Sequence, residues 1–412
     1  MLLDWLLTRL VRVGTLTLVD AEGRTRVYRG EPGPEVRVRL HDKALHWRLP
    51  LNVQLTAGEA YMDGTLTVED GSVFDLLNLA AINLPALERH PFFALGNLLQ
   101  RALRRLHQFN ILPRAQANVA HHYDISGAIY DLFLDADRQY SCAYFVRPDD
   151  DLETAQENKK NHIAAKLLLR EGQKVLDIGC GWGGLALTLA RRAKVEVTGM
   201  TLSTEQFHLA GQRAEEAGLA KRVHFHLRDY RHQQGRFDRI VSVGMFEHVG
   251  VGYYKTFFGK IHDLLTDDGV ALIHTIGRAD GPGATSPWIR KYIFPGGYIP
   301  ALSEVTAAIE RSRLFITDVE VLRLHYAETL RHWRERFVAN WDEAKTIYDE
   351  RFCRMWEFYL AASEVAFRHL GLVVFQVQLA RSQDAVPLTR TYLTDESRRM
   401  ERQPGAGRQV AA

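Results

Sequence analysis

The sequence predicts an α/β protein in which a small mixed α and β domain precedes a doubly wound parallel sheet. From residue 174 onward, short apolar runs alternate with amphipathic segments, a rhythm that is typical of βαβ units. The front of the chain instead alternates apolar and polar residues over short runs that end in Gly and Pro turns. The 412 residues also suffice for two or three cores, at about 100–200 residues per domain.

The front of the chain begins with a helical pattern and continues with strands. Leucines recur at helical spacing at positions 3, 6, 7 and 10, which we interpret as a helix docked on its own core; the alternative is a helix that seeks a membrane surface. Strand-like alternation follows at 15–19 and 36–40. A helix is predicted over 72–83, ending ahead of Pro85, because proline lacks the amide that a helix interior needs.

A second helical stretch is predicted over 92–112. It carries Arg101, Arg104 and Arg105 without one acid. Such a basic face is usually the solvated side of a helix, and the alternative is contact with lipid phosphate. We place the end of the front domain and of this basic linker at residue 115.

The larger domain is predicted over 116–392. Its strands are expected at five apolar runs, 174–178, 196–200, 223–226, 239–243 and 270–274. Two later runs, 316–324 and 375–379, would complete the sheet, with 329–370 as one long helical insertion between them. Residues 393–412 are predicted to be a polar tail that is frayed from Asp395 onward.

Composition excludes several classes of protein. The 52 basic and 50 acidic residues leave a net charge of +2, too small for nucleic-acid binding driven by bulk charge. Three cysteines are too few for a disulfide framework and favour a reducing compartment, so we expect a cytoplasmic protein. No apolar run reaches the roughly 18–20 residues of a membrane span. No His or Cys spacing of a common metal site occurs, so no metal is predicted.

A glycine-rich loop follows the first apolar run of the larger domain. Gly179, Gly181 and Gly184 satisfy the G-x-G-x-x-G pattern, which lets a nucleotide approach the backbone but does not separate dinucleotides from S-adenosylmethionine. Asp177 precedes the first glycine by two residues. A carboxylate there suits a cationic methionine end and would repel a pyrophosphate.

The ends of the other strands carry further candidate groups. The second strand ends in 200–206, without the acid that usually binds a ribose. The third ends in Asp229 and Tyr230, a carboxylate and a ring suited to an adenine. Glu247 follows the fourth strand at the carboxyl edge of the sheet, where ligands of open α/β folds bind.

Taken together, these motifs resemble the cyclopropane-fatty-acid-phospholipid synthase family, including its mycolic acid cyclopropane synthase-like members. The matching segments are AHHYD at 120–124, QYSCAY at 139–144, the glycine loop, TLS at 201–203, GMFEHVG at 244–250, HTIG at 274–277 and RERF at 334–337. They cover about residues 116–385, and GEAYMDG at 58–64 extends the likeness into the front domain. The resemblance implies a Rossmann-like class I methyltransferase domain with a helical insertion, preceded by a small α+β lipid-binding domain.

The resemblance also implies roles for particular residues. Tyr140, Ser141, Gly179 and Gly181 would bind the methionine and backbone side of S-adenosylmethionine, with Asp177 near its cationic end. Thr201 and Gln206 would bind the ribose, and Asp229 and Tyr230 the adenine. Cys142, Glu247, His274, Ile276 (through its backbone) and Tyr326 would surround a bound bicarbonate. Many relatives carry a late cysteine where this chain has Ser363, so a covalent thiol at that position is not expected.

The reaction implied is transfer of a methylene across the cis double bond of an unsaturated phospholipid acyl chain, with bicarbonate as the proton acceptor. We expect one enclosed hollow that joins Gly179 to Glu247 and Tyr326. The partners implied are the lipid, an anionic membrane surface on the cytoplasmic side and a second copy in a homodimer. Two alternatives stay open: a methyltransferase that makes a methyl- or methylene-branched fatty acid, and an inactive lipid-binding protein on the same fold.

Overall fold

The computed structural model describes residues 2–88 and 126–401. The front domain contains a four-stranded sheet in the order β2-β1-β3-β4, with β1 and β3 parallel and the other pairs antiparallel. Its elements are α1 (Leu2–Leu10), β1 (Val13–Val19), β2 (Thr25–Arg29), β3 (Glu31–Leu40), α2 (Leu45–Leu51), α3 (Val53–Met62), β4 (Leu66–Asp70) and α4 (Val73–Glu88). Leu3, Leu6 and Leu7 are buried in the domain core, so the prediction of a docked first helix is confirmed.

Helix α4 continues through Pro85, and the prediction that it ends ahead of this proline is wrong. Tertiary contacts hold the helix against β1. The side chain of Asn83 accepts hydrogen bonds from the amides of Arg12 (2.8 Å) and Val13 (2.9 Å) and donates to the Val13 carbonyl (2.9 Å). These bonds and the buried Leu79 stabilise the helix despite the backbone hydrogen bond that proline removes.

The larger domain contains a seven-stranded sheet in the order β10-β11-β9-β8-β5-β6-β7. Its strands are β5 (Lys174–Ile178), β6 (Glu196–Thr201), β7 (Val223–Leu227), β8 (Phe237–Val243), β9 (Leu265–Arg278), β10 (Phe315–Leu322) and β11 (Leu372–Ala380). All seven predicted runs form strands, but the sheet is not wholly parallel. β11 runs antiparallel to both β9 and β10.

Helices cover the sheet and extend beyond it. The first group comprises α5 (Gly127–Asp131), α6 (Leu152–Lys166), α7 (Gly184–Ala193), α8 (Thr204–Glu216), α9 (Tyr254–Leu264), α10 (Pro287–Tyr292) and α11 (Leu302–Glu310). The predicted single insertion at 329–370 consists of three helices, α12 (His325–Ala339), α13 (Trp341–Ile347) and α14 (Glu350–His369). The helical structure is interrupted at Asn340 and at Asp349. The side chain of Asn340 donates to the Leu132 carbonyl, and that of Asp349 caps α14 by accepting from the Phe352 amide.

The end of the chain is more ordered than predicted. Tyr392–Glu401 form helix α15, which packs against α6. Met400 is fully buried, and Glu396 accepts two hydrogen bonds from Arg170. The prediction of a frayed tail from Asp395 is therefore wrong for 395–401, because Met400 fills an apolar cluster. Residues 402–412, the basic stretch at 92–112 and the 120–124 motif lie outside the described residues. Within 2–88 and 126–401, no helix is long and apolar enough to cross a bilayer.

The front domain docks on the larger domain through α3 and α4, which contact α14, while α3 also contacts α10. Gly58 on α3 lies against the indole of Trp288, whose Nε1 donates to the Met62 sulfur at 3.3 Å. Glu59 accepts hydrogen bonds from Lys291 (2.7 Å) and Tyr292 (2.9 Å). The two domains therefore share an apolar interface with a polar edge.

Gly58→Ala is expected to destabilise the protein by about 1–3 kcal/mol, because overpacking costs that much and a Cβ at this position would lie only 2.5 Å from Trp288 Cδ1. Gly211→Ala on α8 is the matched control, since no neighbour within the described parts of the chain lies within 4 Å of a Cβ there. Replacing a helical glycine by alanine should then be neutral or stabilising. Urea unfolding of both variants measures the difference, and equal midpoints would contradict the packing argument.

Candidate active site

A cavity opens at the carboxyl ends of β5, β6, β7 and β8. The space between protein atoms there is about 1410 Å³, a volume that includes the open solvent at the mouth. All nine residues that the sequence assigned to the cofactor contribute to its wall: Tyr140, Ser141, Asp177, Gly179, Gly181, Thr201, Gln206, Asp229 and Tyr230. They come from separate segments of the chain: the parallel strands bring seven of them to one edge of the sheet, and Tyr140 and Ser141 come from the segment that precedes Leu152.

The glycine loop joins β5 to α7 and forms the floor of the cavity. The amides of Gly179 and Cys180 both donate to the Met200 carbonyl at 2.9 Å, which fixes the loop on β6. Gly179 has a φ of +83°, and a Cβ there would lie 2.7 Å from the Cβ of Met245. Glycine is therefore required at this position both by its conformation and by its neighbour.

The groups assigned to the ribose and the adenine are already paired with protein neighbours. Thr201 Oγ1 donates to Gln206 Oε1 at 2.8 Å, so these side chains act as one unit. Asp229 accepts from Arg231 Nε (2.9 Å) and Nη2 (2.7 Å). Burial would raise the pKa of the Asp229 carboxyl, but these bonds hold it below its usual value. Arg231 also lines the cavity and was not predicted.

Glu247 lies in a short 3₁₀ turn after β8 and meets the backbone of Ile276 on β9. Its Oε1 accepts from the Ile276 amide at 2.7 Å, while its buried Oε2 has no hydrogen-bond partner among the described residues. Burial raises the pKa of the Glu247 carboxyl to about 7. The structure thus brings together two of the five residues that the resemblance placed around an anion.

His274 lies on β9 and is buried against β11. The side-chain nitrogen of Gln376 lies 3.1 Å from His274 Nδ1. An amide nitrogen can only donate, so Nδ1 accepts and the ring proton is on Nε2. Burial lowers the pKa of the His274 imidazole to about 3, so this side chain is neutral. Gln376 was not predicted, because glutamine in an apolar strand has no distinctive sequence signal.

Cys142, Tyr326 and Ile276 belong to one apolar cluster rich in aromatic rings. The Cys142 thiol donates to the Ala143 carbonyl at 3.2 Å, and burial raises its pKa. The ring of Tyr326 packs on those of Phe367 (4.8 Å) and Trp333 (5.8 Å). The thiol is therefore an unreactive, protonated group.

The prediction of one enclosed hollow that joins Gly179 to Glu247 and Tyr326 is wrong, because the cavity is less extensive. The cavity reaches Met245 and His248, on either side of Glu247, but neither Glu247 nor Tyr326 lies in its wall. The Glu247 carboxylate bonds the Ile276 amide, and Tyr326 fills the space against its aromatic neighbours. Side-chain packing therefore separates the cavity from the residues that the resemblance placed around bicarbonate.

The donor set and shape of the cavity fit S-adenosylmethionine. Asp177 is buried, and its Oδ2 has no hydrogen-bond partner among the described residues, so it can receive a cationic ligand. Among the described residues, apart from its two chain neighbours, nothing lies within 4 Å of a Cβ built on Gly181, so a ligand can approach the backbone there. Lys159, which was not predicted, contributes a buried ammonium to the wall.

Comparisons with known proteins agree with this fit. The family model described as mycolic acid cyclopropane synthetase matches residues 112–377. The Escherichia coli (strain K12) protein named cyclopropane-fatty-acyl-phospholipid synthase is 40% identical over 352 residues, covering 85% of this chain and 89% of that protein. A probable fatty acid methyltransferase of Pseudomonas putida is 39% identical over 354 residues, covering 84% and 87%.

Solved structures show the same likeness. The cyclopropane synthase MmaA2 from Mycobacterium tuberculosis has a TM-score of 0.62 and 34% identity to this chain, covering 64% of this chain and 98% of that chain. The mycolic acid cyclopropane synthase CmaA1, complexed with SAH and CTAB, has a TM-score of 0.61 and 34% identity, covering 64% and 97%.

Proposed function

The chain belongs to the mycolic acid cyclopropane synthetase family, and from that premise we propose that it converts unsaturated phospholipid acyl chains to cyclopropane fatty acids with bound bicarbonate as the proton acceptor. The family assignment confirms the resemblance drawn from the motifs. The chain is an S-adenosylmethionine-dependent methyltransferase, and its fold is the predicted Rossmann-like class I methyltransferase fold.

The observation that carries the proposal is the unpartnered, buried Oε2 of Glu247 beside the cofactor cavity. When bound, S-adenosylmethionine supplies an electrophilic methyl group: a carbon–sulfur bond breaks as an alkene carbon bonds to the methyl, a methyl proton then leaves, and a second carbon–carbon bond closes the ring. A buried acceptor is costly unless it is bonded, so Glu247 Oε2 is suited to accept from the hydroxyl of bicarbonate.

The other members of the proposed anion site are His274, Tyr326, Ile276 and Cys142. The Nε2–H of neutral His274 is available as a donor, because Gln376 occupies Nδ1. The Tyr326 hydroxyl, the Ile276 backbone and the Cys142 thiol complete the proposed set. Since this set is packed away from the cavity, we propose that substrate entry moves Tyr326 and opens a path from the cofactor to Glu247.

Aromatic packing next to the cofactor cavity keeps the reacting region dry. Tyr140 lines the cavity, stacks on Trp333 at 5.2 Å and shares a 2.9 Å hydrogen bond with Tyr359. Trp182 is also in the wall and contacts Tyr130 at 5.0 Å. A carbocation formed on an acyl chain would be quenched by water, and these rings exclude water from that side.

The proposal includes peripheral contact with an anionic membrane on its cytoplasmic side, and a homodimer. Support for membrane contact comes from the front domain, where α1 packs on α2. Trp47 and Leu51, four residues apart on α2, are 57% and 69% exposed. An exposed Trp beside an apolar residue is typical of a surface that enters the headgroup region. Vesicle co-sedimentation tests the contact, and analytical ultracentrifugation tests the dimer.

The proposed reaction is tested with S-adenosylmethionine whose methyl carries three deuteriums and with vesicles of unsaturated or saturated phosphatidylglycerol. We expect mass spectrometry to find one added methylene that keeps two deuteriums, only in the unsaturated lipid, and a product that resists mild hydrogenation. Omitting bicarbonate should slow the reaction. A methyl branch formed by loss of a proton from the acyl chain would keep three deuteriums, a methylene branch would keep two and take up hydrogen, and an inactive lipid-binding protein would transfer none.

A further inference from the structure

Two side chains at the start of helix α12 tie this helix to the extended segment 142–145. Thr329 Oγ1 accepts a hydrogen bond from the Ala143 amide at 3.0 Å, and His325 Nδ1 accepts one from the Phe145 amide at 3.0 Å. Because the two acceptors are four residues apart, they share one face of the helix. The first turn of α12 and the segment are therefore held together at two points.

The two hydrogen bonds differ in burial. Thr329 and Ala143 are fully buried, and the Thr329 hydroxyl also donates to the His325 carbonyl at 2.7 Å. His325 and Phe145 are both partly exposed. A buried amide that loses its acceptor stays unpaired at a high cost, whereas a partly exposed amide can bond to water instead. The bond from the Phe145 amide to His325, which we call the latch, is therefore the easier one to break, and Thr329 is the pivot.

Ring stacking supports the latch from outside α12. The ring of Tyr144 lies between those of His325 (4.8 Å, 6°) and His162 on α6 (4.2 Å, 12°). His162 Nε2 in turn lies 2.6 Å from Glu320 Oε2 on β10. Burial lowers the pKa of the His325 imidazole, which favours the neutral ring that can accept at Nδ1. The first turn of α12 is therefore held against two other elements of the larger domain.

Tyr326 directly follows the latch residue in the chain. Its ring fills the space in the aromatic cluster, and it does not line the cofactor cavity. Since His325 and Tyr326 are consecutive, a shift of the first turn about Thr329 would displace both together. The latch thus restrains the part of α12 that has to move if Tyr326 is to open a path to Glu247.

We propose that His325 is a positioning residue that holds Tyr326 in place, and that breaking its bond to the Phe145 amide opens the path from the cofactor to Glu247. This inference rests on the proposed function, because it specifies how the acyl chain reaches the proposed proton acceptor. The fraction of protein with an open path then sets the apparent affinity for the lipid. A weaker latch should therefore improve lipid binding, which the loss of a merely structural residue would not do.

The test is His325→Phe, which removes the acceptor but keeps a ring against Tyr144. The apparent KM for vesicles of unsaturated phosphatidylglycerol should fall about 3- to 10-fold, since one hydrogen bond changes an equilibrium by about that factor. Hydrogen exchange of the amides of 326–330, followed by mass spectrometry without lipid, should accelerate by a similar factor because it reports the same opening. S-Adenosylhomocysteine affinity should change less than about twofold, since His325 is not in the cavity wall.

Two substitutions on α12 are matched controls. His325→Asn keeps an acceptor at the position of Nδ1, so it should shift the KM and the exchange rate less than His325→Phe does. His332→Phe makes the same replacement at a ring that also stacks on Phe145, at 5.7 Å, but does not accept from its amide. This variant should keep the wild-type KM and exchange rate. Thermal unfolding checks that each variant is folded.

Two results for a folded His325→Phe variant would overturn the proposal and make His325 structural. One is an unchanged or higher KM for the lipid, and the other is unchanged exchange at 326–330. Wild-type protein that makes no cyclopropane lipid would instead contradict the proposed function, and the exchange rates of the three variants would still test the latch by themselves.

Discussion

Glu247→Gln is expected to lower turnover about 100- to 1000-fold, the usual contribution of a general base or of electrostatic stabilisation. The amide keeps the size of the side chain and can still accept from the Ile276 amide, which lies 2.7 Å from Oε1. It cannot take a proton from bicarbonate. Because Glu247 is not in the cavity wall, S-adenosylhomocysteine affinity should change less than about twofold. Steady-state kinetics and calorimetry measure the two effects.

The pH dependence of the activity provides a second test of the role of Glu247. Burial raises the pKa of the Glu247 carboxyl to about 7 from an ordinary 4.5, so below pH 7 the group is mostly protonated and cannot accept a proton. Wild-type activity should therefore fall as pH decreases through about 7, and Glu247→Gln should lose this acidic limb. An unchanged limb in the variant would assign the titration to another group.

The free energy of unfolding should depend on pH in the opposite direction from the activity. Because the folded pKa of Glu247 is raised, the protonated form is favoured on folding, and its contribution to stability is fully present below pH 4.5. That contribution is lost as pH rises through about 7. Glu247→Gln should remove this pH dependence of the stability. Glu357→Gln is a matched control, since Glu357 is a half-buried carboxyl whose pKa is also raised by desolvation, but it accepts a hydrogen bond from Tyr61 at the domain interface. Its activity should keep the wild-type pH profile.

The presence of most of the cofactor residues at the cavity could be predicted because their signals are local. Seven of the nine lie at the end of a parallel strand or within five residues of it, where strand pattern and glycine spacing can be read within about ten residues, whereas Tyr140 and Ser141 lie between α5 and α6 and were assigned from the resemblance. Asp177 and Gly179 are examples: their positions follow from the β5 pattern alone. Once the strands are parallel, the geometry of the sheet brings these seven residues to one edge.

Lys159 could not be predicted, because its burial depends on distant parts of the chain. Two adjacent lysines in a polar helix are typical of a solvated face. Here Lys159 is enclosed by the 139–141 segment and the cavity wall, while Lys160 pairs with Asp137. The helix α15 and the course of α4 through Pro85 have the same origin, since contacts with α6 and β1 outweigh local propensity.

The separation between the cavity and Glu247 is also a result of packing. The resemblance placed Glu247 and Tyr326 around one anion in a hollow shared with the cofactor, but which rotamers fill that space depends on the whole aromatic cluster. A motif identifies the groups available for chemistry. It does not determine whether a path between them is open in a given state of the protein.

Gly181→Ala is expected to weaken S-adenosylhomocysteine binding about 100-fold while lowering the free energy of unfolding by only about 1–2 kcal/mol. Gly181 has a φ of +54°, in the left-handed region that an alanine can adopt at that cost. In the described structure nothing lies within 4 Å of a Cβ at this position, so the added methyl has no protein neighbour to displace. Gly181 lies in the cavity wall, where a bound nucleoside would approach the backbone.

The matched control for this substitution is Gly218→Ala, because it isolates the cost of the backbone conformation. Gly218 follows α8 with a φ of +66°, and nothing lies within 4 Å of a Cβ there either, but it is not in the cavity wall. Its stability should fall by a similar amount while its ligand affinity stays unchanged. If Gly181→Ala also kept wild-type affinity in calorimetry, the cofactor could not lie over Gly181, and the binding roles of the glycine loop would have to be reassigned. A selective loss at Gly181 would place the ligand against this loop by a steric measurement that is independent of charge.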